Sequence, residues 1–145
     1  MEAIVLCGIQ ASGKTTFYRE NFSETHARIS LDALRSRARE AMTLLECLQE
    51  KRSFVVDNTN PTAADRHRYL EPARAAGYRV ICYYFDTTAT RAIYRNNRRP
   101  KDERIPPGAI VATEQHLRTP QPDEGFDAIY RVRMKNTGGF DVEPF

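Results

Sequence analysis

The stretch VLCGIQASGKTTF, Val5 to Phe17, decides the fold. An apolar run stops at Gly8, and Gly8, Gly13, Lys14 and Thr15 then match the spacing G-x-x-x-x-G-K-[ST] directly before a helical segment. Strand, glycine loop and helix in that order make a phosphate cradle. The glycines let successive backbone N–H groups turn inward, and the helix N-terminus adds the positive end of its dipole. A lysine then reaches the terminal phosphates and a hydroxyl holds Mg²⁺. A tight turn alone needs neither the lysine nor the hydroxyl. Gly8, Ser12, Gly13, Lys14, Thr15 and Thr16 are the expected contacts for ATP, with Lys14 also catalytic and Thr15 on the metal.

Outward from this loop, apolar runs recur at 3–7, 53–57, 79–85 and 127–132, with a shorter one at 27–30. Their length and β-branched or aromatic content read as strands. Continuous apolarity implies burial on both faces, as in a parallel sheet covered by helices. Between the strands lie helical patterns. The clearest sets Leu31, Leu34, Ala38, Ala41, Leu45 and Leu48 on one face of a long helix. Another runs from an N-cap at Thr62 to a stop at Gly77. The expectation is an α/β, three-layer fold with a central, mostly parallel sheet of about five strands behind the phosphate loop, in one domain over residues 1–145.

The 22 Lys and Arg against 19 Asp and Glu leave a net charge of only +3, so the total does not point to a nucleic-acid partner. The distribution is more telling, because Arg91, Arg95, Arg98, Arg99, Lys101 and Arg104 crowd one segment. Concentrated positive charge suits an anionic ligand. Cys7, Cys47 and Cys82 show no pairing pattern, and the two in apolar runs, Cys7 and Cys82, read as buried in strands, where a thiol behaves as a small hydrophobe. His26, His67 and His116 lack metal-ligand spacing. No signal peptide or membrane-length apolar run is read, so a cytoplasmic protein with no membrane partner is expected.

An ATP cradle suits a kinase, a hydrolytic switch or a motor, and a short chain best accommodates a kinase, which needs only an acceptor site and a lid. Asp32 follows the second strand at the carboxyl end of the sheet, where ligands gather in such folds. A carboxylate there can accept the acceptor hydroxyl's proton and orient its oxygen. Arg35, three residues on, is expected on the same helical face, within reach of an anionic part of the acceptor. Asp57, Asn58 and Asn60 end the third strand, with Asp57 where an acid that holds Mg²⁺ is expected and all three suited to a polar substrate wall. Arg95, Arg98 and Arg99 are expected in a lid that closes over ATP, with Arg95 and Arg98 on the nucleotide and at least one of the three stabilising charge on the transferred phosphate.

The ordered set GIQASGKTT, SLDALR, VVDNTNPTAADRHRYLEPARAAGY, RNNRRP with IP after it, and EGFDAIYRV resembles the kinase domain of the polynucleotide 5′-hydroxyl kinase family over nearly the whole chain. The resemblance implies a three-layer α/β P-loop kinase fold with a short lid, and transfer of the ATP γ-phosphate to the 5′-hydroxyl of DNA or RNA. It makes Asp32 the general base, Arg35 the grip on the phosphate 3′ to the modified nucleotide, Asp57 and Asn58 its support, and Arg99 or Arg98 the lid arginine. It also implies a separate phosphatase or ligase as partner in end repair. Gln10 and Ala11 stand where relatives often carry Pro-Gly and are expected to alter the loop's backbone. Two other readings stay open: a kinase for the hydroxyl of a nucleoside, sugar or antibiotic, and a nucleotide-dependent binding module.

Overall fold

The first apolar run forms strand β1 (Glu2–Cys7), fully buried from Ala3 to Cys7, in a computed structural model that describes residues 1–145. It is followed by β2 (Ala27–Ile29), β3 (Phe54–Val56), β4 (Arg79–Phe85), β5 (Ala128–Met134) and β6 (Phe140–Pro144). The sheet order is β2-β3-β1-β4-β5-β6. β1 pairs in parallel with β3, Val5 opposite Val56, and with β4, Val5 opposite Cys82. Its two faces feed separate cores, as the alternation of strand side chains requires. Ala3 and Val5 join Phe54, Val56, Tyr69 and Leu70 on one side, and Ile4 and Leu6 join Phe17, Val55 and Phe85 on the other.

The helices are α1 (Lys14–Asn21), α2 (Leu31–Leu34), α3 (Arg37–Glu50), α4 (Ala63–Ala75), α5 (Ala89–Asn96) and α6 (Pro107–His116). They flank the sheet in the expected three-layer, mostly parallel P-loop kinase arrangement. α4 begins where expected, with the Thr62 hydroxyl accepting from the Asp65 N–H and the Asp65 carboxylate from the Thr62 N–H. The chain beyond it turns at Gly77, φ +85°, a conformation that suits glycine. All three cysteines are buried and free, Cys7 and Cys82 in strands as expected and Cys47 on α3. No helix is long and apolar enough to cross a membrane.

Two features differ from the sequence reading. The long helix expected from Leu31 is two helices: α2 closes after one turn, Arg35 takes φ +68°, and Ser36 caps α3 by accepting from the Arg39 N–H. The break changes which side of α3 faces the sheet. Glu40 and Cys47 are buried with Leu44 and Leu48 packed on the core, whereas Leu45 is 53% exposed. The sixth strand, β6, runs antiparallel to β5 with Val142 opposite Val132. It is an edge strand with only Phe140 half-buried, so it lacks the apolar run that marks β1, β3 and β4.

Candidate active site

The loop after β1 is held by close packing at its two glycines. A Cβ on Gly8 would lie 2.8 Å from the Cβ of Phe85, and one on Gly13, at φ +98°, would lie 2.9 Å from the ring of Phe140. The Gly8 N–H donates to the Thr59 carbonyl, which ties the loop to the segment after β3. Between the glycines, Ala11 adopts φ +59°, so an alanine takes a left-handed turn that suits glycine. Gln10 and Ala11, expected to alter the loop's backbone, carry a left-handed turn at Ala11. Ala11 is held there because its carbonyl accepts from Arg95 Nε at 2.8 Å and its methyl packs among Ile9, Ala89, Ala92 and Ile110. Gln10 Nε2 donates to Thr113 Oγ1 at 3.0 Å and fastens the loop to α6.

Lys14 opens α1 and folds its ammonium back into the loop. Nζ donates to the carbonyls of Gly8 at 2.9 Å and Ile9 at 2.7 Å, with Ser12 Oγ at 3.4 Å. Burial lowers its pKa from 10.5 to about 8, against the attraction of Asp57. A buried ammonium without a carboxylate in contact is a socket for an anion. Next to it, Thr15 Oγ1 donates to Asp57 Oδ2 at 2.8 Å. Arg28, on β2, places Nη2 at 2.8 Å and Nε at 2.9 Å from the same oxygen.

A cleft of about 150 Å³ runs along the loop, lined by residues 10–16 with Arg28, Asp32, Asp57, Asn58 and Arg99 among others. A second cleft of about 370 Å³ shares Gln10, Asp32 and Asn58 with it and adds Arg37, Asn60 and Asp65. Asp32, in the first turn of α2, lines both. Its helix is anchored because the Leu31 N–H donates to Asn58 Oδ1 at 2.8 Å. The other end of that amide donates to Glu40 Oε2, and Glu40 Oε1 accepts from Tyr69 and Arg37. Burial and donation to Glu40 raise the Tyr69 pKa, which keeps the phenol a donor.

The expected site residues divide. Gly13, Ser12, Lys14, Thr15, Thr16, Asp32, Asp57, Asn58 and Arg99 line one cleft. Gly8 acts from behind through its backbone. The amide of Asn60 donates to the Leu6 carbonyl at 2.7 Å, so this side chain fixes a turn, at φ +44°, on the rim of the second cleft. Arg35 does not share a helical face with Asp32, because α2 ends at it, and it lines neither cleft. The lid arginines separate as well. Arg99 faces the cleft, Arg95 braces Ala11, and the Arg98 guanidinium sits 5.8 Å from the centre of the Tyr94 ring. The segment carrying Arg99 is closed by buried Asn96, whose amide bonds both the N–H and the carbonyl of Ile105.

Arg28, Arg37 and Glu40 were not singled out from sequence for the site. Arg28 carried a signal, as an arginine inside a short strand near the sheet's carboxyl edge. Glu40 carried one only if α3 was read separately, where it shares a face with Leu44 and Cys47. The oxygen donors Thr15 and Asp57 suit a hard cation such as Mg²⁺. No group of three or more His, Cys, Asp or Glu side chains could hold a metal without help. An ion held largely by phosphates and water fits that donor set.

A family model described as an AAA domain matches residues 4–120. The bifunctional polynucleotide phosphatase/kinase of Schizosaccharomyces pombe is 25% identical over 138 residues, 92% of this chain and 34% of that protein. The chain thus spans about a third of the length of that relative. Among solved structures, Chaetomium thermophilum Kti12 in complex with ADP-AlF3 superposes with TM-score 0.69 at 16% identity, over 90% of this chain and 88% of that one. A gluconokinase from Sinorhizobium meliloti gives TM-score 0.66 at 15% identity, over 91% and 82%. Likenesses at that identity show the fold.

Proposed function

The chain belongs to the AAA domain family, with a P-loop kinase fold, and from that premise we propose that it is a phosphotransferase that moves the γ-phosphate of ATP to the 5′-hydroxyl end of DNA or RNA. The observation that carries the reading is the position of Asp32, which lines both the cleft along the phosphate loop and the cleft next to it. In this reading the loop from Gly8 to Thr16 holds the donor's phosphates and Lys14 exchanges its loop carbonyls for them. Mg²⁺ supplies charge neutralisation on the phosphates, with Thr15 and Asp57 as the protein's oxygens toward it. Asp32 orients the acceptor oxygen and takes its proton as the new P–O bond forms and ADP departs. Arg99 lies where a cation can balance charge on the transferred group. Arg37 is the arginine we assign to the acceptor's own phosphate, in place of Arg35.

The polynucleotide acceptor is supported by the resemblance in the motifs after the loop and by the similarity to the fission yeast phosphatase/kinase. A second reading, a kinase for a small hydroxyl compound, is favoured by the fold shared with a gluconokinase. The test is γ-phosphate transfer to a 5′-OH oligonucleotide by wild type and by Asp32→Asn. The expected result is a labelled 5′ end and a variant at least ~100-fold slower that still binds ATP, within the range of a lost general base. Oligonucleotide affinity should also fall with added salt, as phosphate contacts exchange with counterions. An Asp32→Asn protein as fast as wild type overturns the role of Asp32, and label on a neutral sugar favours the second reading.

A further inference from the structure

Arg28 is the one charged side chain of the phosphate cleft whose partner has other work to do. Three donors converge on Asp57 Oδ2: Thr15 Oγ1 at 2.8 Å, Arg28 Nη2 at 2.8 Å and Arg28 Nε at 2.9 Å. Arg28 Nη2 also lies 3.4 Å from Thr15 Oγ1. The guanidinium therefore leans on the two side-chain oxygens that fit a magnesium ion. Asp57 is 4% exposed and Arg28 31%, so the acid is fixed while the arginine can swing toward solvent or along the cleft. A guanidinium and a divalent cation compete for the same lone pairs and repel each other at contact distance.

We propose that Arg28 is a resident counter-cation: it holds Asp57 and Thr15 in the nucleotide-free protein and surrenders them only to Mg²⁺ that arrives with a nucleotide's phosphates. The inference rests on the phosphotransferase reading of the cleft. Without phosphates, a metal ion would have to displace a paired guanidinium and leave it beside a new positive charge. With phosphates, the displaced guanidinium gains anionic oxygens in the cleft that Arg28 already lines. Metal entry is then tied to nucleotide entry, and the bare protein is kept from holding metal in a site that has nothing to transfer.

The experiment is a titration with Mn²⁺, a paramagnetic stand-in for Mg²⁺, of nucleotide-free wild type, Arg28→Met and Arg28→Lys, reading free Mn²⁺ by electron paramagnetic resonance. Melting curves check that each variant is folded. Arg28→Met should bind Mn²⁺ at least ~10-fold more tightly than wild type, because the buried Asp57 carboxylate has lost its counterion. Arg28→Lys should stay near wild type, and it carries the test if Arg28→Met does not fold: Lys binding Mn²⁺ as Met was expected to would overturn the proposal. Equal affinity of wild type and Arg28→Met also overturns it. In parallel, Mn²⁺ with a non-hydrolysable ATP analogue is titrated into wild type and Asp57→Asn. Weakened metal binding in Asp57→Asn keeps the metal reading of the cleft whatever Arg28 does. Unchanged binding there removes Asp57 from the metal and takes the proposal with it.

Discussion

Two arginine–carboxylate pairs stand near the carboxyl edge of this sheet, and they are finished to different degrees. Arg66, fully buried, meets both oxygens of Glu124, Nε at 2.8 Å and Nη2 at 2.9 Å, and gives Nη1 to the Asn60 carbonyl. Glu124 also accepts from the Gln121 N–H. Arg28 puts both its contacts with Asp57 on a single carboxylate oxygen, and about a third of its side chain stays exposed. A saturated pair locks two segments together. A pair with unused capacity, open to a cleft, is able to exchange partners.

The contrast is broken most severely at the closed pair. Glu124→Ala leaves a buried, unpaired guanidinium, which costs about 3–5 kcal/mol. The melting temperature should fall by roughly 10 °C or more, with transfer per folded molecule unchanged below the transition; an unshifted melt would show that this pair does not lock the fold. The open pair should answer in the opposite way. Asp57→Ala should lower transfer by roughly 100-fold, about 3 kcal/mol, and shift the melt far less, because Arg28 can turn to water; a collapse in stability would erase the distinction.

Lys14 sharpens the comparison as a cation with carbonyls in place of a carboxylate. Its pKa in the free protein is about 8, lowered chiefly by burial, and bound phosphate favours the charged form and raises it. Below pH 8 the ammonium is already charged and nucleotide affinity should be flat. Above pH 8 binding must take up a proton, so affinity should fall toward ~10-fold per pH unit until the raised value is reached. Calorimetry in buffers of different ionisation enthalpy would detect that uptake, and constant affinity from pH 7 to 9.5 would contradict it. The smallest effect belongs to Ala11→Gly. Relief of a left-handed alanine, about 1–2 kcal/mol, is offset by a lost buried methyl and a more flexible unfolded chain. The melt should move by no more than about 4 °C, and a larger drop would mean that the methyl packing dominates.

What could be read from sequence follows from how local each signal is. The strand, glycine loop and helix from Val5 to Phe17 carry their instructions within the segment, and so do Thr62 with Asp65 at the start of α4. The buried strands announced themselves because burial on both faces needs unbroken apolarity. β6 did not, since an edge strand buries little; Gly138 and Gly139, both at positive φ, were its available hairpin signal. The break at Arg35 was hidden because an arginine in a left-handed turn leaves no mark in the hydrophobic period. At the cleft, Asp32 and Asp57 were legible from their places at strand ends. The union of Arg28 with Asp57, and of Glu40 with Asn58, depends on side chains that meet from distant segments. Only the fold supplies that information, and it also separated Arg99 from Arg95 and Arg98.

The most direct test of the central claim gives the protein Mg·ATP labelled in the γ-phosphate together with three acceptors at equal concentration: a 5′-OH oligonucleotide, the corresponding free nucleoside, and gluconate. The account predicts label on the 5′ end of the oligonucleotide, with little on the nucleoside, which lacks the phosphate for Arg37, and none on gluconate. Label that accumulates on gluconate or the nucleoside, or appears only as inorganic phosphate, would contradict it.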